Sequence, residues 1–111
     1  MRKPADLKKE IEKRVRNYLK RDTSGIRHEL LSIFTRMKEI TIDQVHKSLS
    51  QKFEVSYQSV ASMVGIITSR LGILTSHRIR DNDRTTYEIK PQYADLVARL
   101  LHTGPKKSGN S

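Results

Sequence analysis

The feature that most restricts this chain's fold is a change of hydrophobic period at Gly72. Before it, apolar residues recur every three or four positions, as on helices with one buried face. After it they alternate in two short runs, as in half-buried strands, before helical spacing returns. Such a chain must pack a cluster of helices against a small hairpin.

The helical part divides into four. Over residues 4–21, Leu7, Ile11, Val15, Tyr18 and Leu19 form one stripe. Lys9, Lys13, Arg16 and Lys20 recur on the opposite face, with Glu12 set off to the side. The Asp, Ser and Gly of residues 21–25 supply a turn and a cap. A second helix over 26–38 turns Ile26, Leu30, Ile33, Phe34 and Met37 inward. Thr41 followed by Gln44 spells a capping box for a third helix over 42–53, with Ile42, Val45, Leu49 and Phe53 inward. Ser56 caps a fourth over 57–71, with Val60, Val64, Ile67 and Leu71 inward, and Gly72 ends it.

The strand-like runs are 73–80 and 85–90. In the second, Tyr87 and Ile89 alternate with Thr86, Glu88 and Lys90, and residues 81–84 form a polar hairpin loop. Pro91 stops the strand and starts a last helix, to His102, with Tyr93, Leu96, Val97 and Leu100 facing in. Residues 104–111 read as a disordered tail. The expectation is one α+β domain over residues 1–103: an accessory helix (4–21), a core (26–90) and a C-terminal helix (91–102).

Charge narrows the partners. The chain has 111 residues, with 22 Lys+Arg against 12 Asp+Glu, a net of +10. Residues 1–21 alone hold nine basic and three acidic residues, a net of +6. Such an excess favours a polyanion. Aromatics make up only 5%, which disfavours readers of single-stranded RNA, because those stack bases on aromatic rings. With no cysteine, disulfides, thiol catalysis and cysteine-based zinc sites are excluded. No apolar run approaches the roughly 20 residues of a membrane span, and nothing resembles a signal peptide, so no membrane partner and a cytoplasmic location are expected.

Three helices with short breaks followed by a hairpin give the order of a winged helix-turn-helix with one additional helix at each end. Ser56-Tyr57-Gln58-Ser59-Val60 followed by Leu71-Gly72-Ile73-Leu74 resembles the recognition helix and helix-to-strand corner of winged-helix regulators. The whole chain resembles a family of small, functionally uncharacterised archaeal winged-helix proteins, best over Tyr57–Gly65 and at the same corner. That resemblance implies the fold and no established function.

In such a fold the second helix of the turn enters the major groove, while flanking cations hold phosphates. The expected partner is double-stranded DNA, and the expected role is transcriptional regulation. Gln58, Ser59 and Ser62 lie on the outward face, where Gln58 suits a bidentate contact to adenine. Tyr57 suits a phosphate at the helix start. Arg70, together with Arg78, Arg80 and Arg84 of the wing and Lys9, Lys13, Arg16 and Lys20 of the first helix, supplies charge. The fourth helix itself carries no Lys or Arg from Ser56 until Arg70. Two accounts therefore stand open: close approach to the groove by a small neutral face, or packing of that face on a protein partner. The apolar stripes of the first and last helices also suit a homodimer contact.

The remaining residue types do not suggest catalysis. His28, His46, His77 and His102 stand far apart without ligand spacing, so neither metal nor cofactor is expected. The carboxylates form no recognisable acid/base pair, and there is no nucleophile motif or glycine-rich phosphate loop. The chain is expected not to be an enzyme.

Overall fold

Pro4 opens helix α1 (Pro4–Lys20), where its missing N–H leaves no bond unmade. Asp6 in the first turn and Lys20 in the last complement the helix dipole. The computed structural model describes residues 4–79 and 84–103. Arg80, the loop residues Asp81, Asn82 and Asp83, and the expected tail lie outside them.

Ile11, Val15, Tyr18 and Leu19 of α1 are buried. The turn that follows is pinned by Asp22, whose two carboxylate oxygens accept from the N–H groups of Gly25 (3.1 Å) and His28 (3.0 Å). These bonds satisfy donors that a helix start leaves without partners. Gly25 sits at φ 92°, a left-handed conformation that side chains disfavour.

Helix α2 (Ile26–Arg36) ends two residues short of the expected boundary. Met37 is extended, at φ −105° and ψ 142°, and is 46% exposed rather than part of the buried face. Leu31 is buried beside Leu30, Ile33 and Phe34. Because α2 packs between the third and last helices, it buries a wider arc than one stripe.

Strand β1 (Ile40–Thr41) has only two residues and was not expected from the sequence. Helix α3 (Ile42–Ser50) then starts on the capping box. The Gln44 N–H donates to Thr41 Oγ1 (3.2 Å), and the Thr41 N–H donates to Gln44 Oε1 (2.9 Å). Replacing Thr41 by Ala is expected to lower stability by about 1 kcal/mol in urea unfolding; an unchanged midpoint would show that the cap contributes nothing. α3 closes before Phe53, with the N–H groups of Lys52 and Phe53 both donating to the Leu49 carbonyl. Phe53 nevertheless packs against the core.

Helix α4 (Tyr57–Ile66) is capped by Ser56, whose side chain accepts from the Ser59 N–H. The expected helix to Leu71 does not stay α-helical: Ile67–Leu71 widens into a π-helical turn. The hydroxyls of Thr68 and Ser69 donate to the Val64 and Gly65 carbonyls, at 2.8 Å each. Such back-bonding loads carbonyls of the preceding helical turn and favours a local departure from α geometry. Gly72, at φ 71°, ends the helix, and its N–H donates to the Ile67 carbonyl (3.1 Å).

Strands β2 (Leu74–Ile79) and β3 (Arg84–Ile89) form an antiparallel hairpin in register from Leu74↔Ile89 to Ile79↔Arg84. Arg84 is therefore the first strand residue, not part of the loop. β1 pairs antiparallel with the other edge of β3 through Ile40↔Tyr87 and Thr41↔Thr86, so the order is β1-β3-β2. As the middle strand, β3 does not keep a simple alternation: Thr86 is buried and its hydroxyl donates to the His77 carbonyl (3.4 Å). Helix α5 (Pro91–Thr103) packs on α2 and α1 through Tyr93, Leu96, Val97 and Leu100. The described residues thus form an α+β structure of five helices and one three-stranded antiparallel sheet around a single core.

Candidate nucleic-acid interface

The turn between α3 and α4 is held from within. His46 Nε2 donates to the Val55 carbonyl (2.9 Å), and its ring meets Tyr57 edge-on, with centroids 6.0 Å apart. This positions the start of α4 and leaves Tyr57 47% exposed. The sequence signal for it was weak, since a lone histidine eleven residues before a tyrosine carries no spacing rule.

The solvent face of α4 carries Gln58, Ser59, Ser62 and Gly65, continued by Ser69 of the π turn, all exposed. A Cβ built on Gly65 would meet nothing within 4 Å, so the face is open. Ser59 Oγ accepts from Ser56 Oγ (3.1 Å), and Ser69 bonds back to its own helix. The side chains of Gln58 and Ser62 make no hydrogen bond among the described residues and keep their full polar capacity for a partner.

Of the basic residues expected to accompany this face, Arg78 on β2 and Arg84 at the start of β3 are exposed on the hairpin. His77, also exposed, lies 3.6 Å from Glu88. On α1, Lys9, Lys13, Arg16 and Lys20 are all exposed. Glu12 does not stay off to the side of that row: it clasps Arg16 at 2.8 Å, one helical turn away. This hydrogen bond holds the Glu12 carboxyl below the usual carboxylate range, and the charge of Arg99 on α5 adds to the effect. The α1 row lies opposite the buried stripe of the helix. The side of α1 turned to α4 is that of Arg14, Asn17 and Arg21, about 100° further round the helix.

There the structure brings together residues that sequence spacing does not connect. Arg14 of α1, Arg21 just after its end, Arg27 of α2 and Arg70 of the π turn line one open cavity of about 390 Å³. Only Arg70 of these stood out in the sequence. The Arg27 guanidinium lies 4.6 Å from the centre of the Tyr18 ring and donates to the Tyr18 carbonyl (3.0 Å). Burial pushes the Tyr18 hydroxyl above its ordinary pKa, against the opposing charge of Arg27.

Among the described residues no three or more His, Cys, Asp or Glu side chains are placed to hold a metal ion. No described helix is long and apolar enough to cross a membrane.

A family model described as a protein of unknown function, DUF2551, matches residues 15–97, from the middle of α1 to the middle of α5. The chain is also 39% identical over 93 residues to an uncharacterized protein of the archaeon Archaeoglobus fulgidus, covering 83% of this chain and 93% of that protein. No solved structure matches the chain. The span of the family model takes in both the open face of α4 and most of the cavity beside it, and on that match the chain belongs to the DUF2551 family.

Proposed function

We propose that this chain is a winged helix-turn-helix protein that binds double-stranded DNA and acts in transcriptional regulation. The observation that carries the reading is the open, small and polar face of α4, with Gln58 and Ser62 uncommitted. The element order supports it: α2, β1, α3, α4 and then the β2–β3 hairpin, with β1 on the far edge of β3, is the order of a winged helix. In this reading α4 enters the major groove, where the absence of large side chains allows close approach, and Gln58 and Ser62 contact base edges. Arg78, Arg80 and Arg84 hold phosphates from the hairpin. Lys9, Lys13, Arg16 and Lys20 act on a flanking stretch of backbone.

One observation favours a second reading, a protein-interaction module. The same face carries no cation, while Tyr57 and Ile66 are exposed at 47% and 39%. A Gln58→Ala/Ser62→Ala variant separates the two. Under the DNA reading it loses preference among duplex sequences, at about 1–3 kcal/mol per lost base contact, while binding to random duplex persists. Unchanged sequence preference together with loss of a co-purifying protein would transfer the face to the second reading.

A homodimer has less support than the stripes of α1 and α5 first offered, because, apart from Leu7, which is 39% exposed, those stripes pack on one another and on α2 within one chain. A dimer would use other surface, and sedimentation at several concentrations reads it directly.

A further inference from the structure

The cavity between α1, the start of α2 and the end of α4 presents four guanidiniums and no carboxylate in its lining. Arg14 is paired with Glu10 at 2.7 Å, one helical turn nearer the start of α1 and not in the lining. Arg27 is held by a backbone carbonyl and a ring, neither of which neutralises it. Arg21 and Arg70 make no ion pair or hydrogen bond among the described residues. Outside the cavity, Arg16 pairs with Glu12, and Arg36 and Lys52 both reach Glu29. Gathering like charges around one hollow opposes folding unless an anion relieves it.

From this we infer that the cavity binds a small phosphorylated organic molecule of nucleotide size. Guanidinium forks match phosphate oxygens two at a time, and a phosphate ester offers three acceptor oxygens and up to about two charges to a cluster that a single carboxylate would leave under-neutralised. The volume of about 390 Å³ lies within the usual range of small-molecule sites. Tyr18 and Ile66 give the wall an apolar part for the remainder of the ligand. The Tyr18 hydroxyl, sealed from solvent, has no hydrogen-bond partner among the described residues. Because Ile66 and Arg70 belong to α4 and its π turn, the occupant touches the helix beside its open face. The inference does not depend on DNA binding, and its test contains no DNA.

Isothermal titration of the full chain with ATP, inorganic pyrophosphate and adenosine tests it. ATP is expected to bind saturably at one per chain, and adenosine is not. Pyrophosphate equal to ATP assigns recognition to phosphate alone; ATP tighter than pyrophosphate assigns part of it to the apolar wall. Arg21→Gln/Arg70→Gln is expected to weaken ATP at least about tenfold. The charge-matched Lys9→Gln/Lys13→Gln variant stays within about twofold, since those lysines lie outside the cavity. All four positions are exposed, so both variants keep the fold, which circular dichroism checks. Absence of saturable binding by ATP and pyrophosphate overturns the inference. So does an equal effect of the two variants, which would mean polyanions condensing on a basic surface, or no effect of the arginine pair.

Discussion

Affinity for duplex DNA is expected to fall about 10⁵-fold for a tenfold rise in salt, a logarithmic slope near −5. The figure follows from about six phosphates neutralised by Lys9, Lys13, Arg16, Arg78, Arg80 and Arg84, each releasing close to one counterion. Two structural facts locate where the slope can fall short. Arg16 already has Glu12 at 2.8 Å, so its phosphate contact must compete with an existing partner. The row it belongs to lies outside the cavity where α1 faces α4. A Lys9→Gln/Lys13→Gln variant divides the contributions: if the row lies against backbone, the slope flattens by about 2. If it is unchanged, the contacts are confined to the hairpin and α4. Anisotropy titrations with random duplex measure both, and an affinity independent of salt would remove the DNA reading altogether.

Replacing Phe34 by Ala is expected to remove about 3–5 kcal/mol of stability. Phe34 is fully buried on α2, which packs against α3, α5 and β3, so little of the structure can collapse into the space left behind. A domain of this size has about 5–15 kcal/mol in total, and the variant would sit near the edge of folding. Met37, three residues later, is the control. It lies beyond the helix end and is 46% exposed, so Met37→Ala should shift stability by no more than about 0.5 kcal/mol. Urea unfolding of the pair measures the contrast. Similar losses in the two variants would mean that α2 continues past Arg36 and buries Met37.

That pair also shows what was legible in the sequence. The stripes of α1, α3 and α5 could be read because each helix buries one face, and Thr41–Gln44 and Gly72 could be read because their chemistry is local. Periodicity could not place Met37, since a stripe continues on paper one position past the last hydrogen-bonded turn. It could not find Leu31 either, because burial of a second arc is set by what packs there. β1 escaped because two residues cannot show an alternation, and its existence depends on Tyr87 and Thr86, far along the chain. The π turn has the composition of any helix. As to the sites, the face of α4 could be laid out from a wheel, whereas the cavity draws Arg14, Arg21, Arg27 and Arg70 from α1, the turn after it, α2 and the π turn. Their only relation is spatial.

The sheet order has a consequence for solubility. β3 is covered on both sides, which leaves β2 as the outer strand of the hairpin, with one row of backbone donors and acceptors that no strand pairs among the described residues. Such a row invites a second β2 to dock edge to edge and seed aggregates. Along it the sequence places Ser76, His77 and Arg78, all exposed, in place of an apolar run. Two copies aligned in this way would carry an Arg78 from each into the shared edge, so the charge proposed to draw the hairpin to a phosphate also deters it from stacking on its own kind.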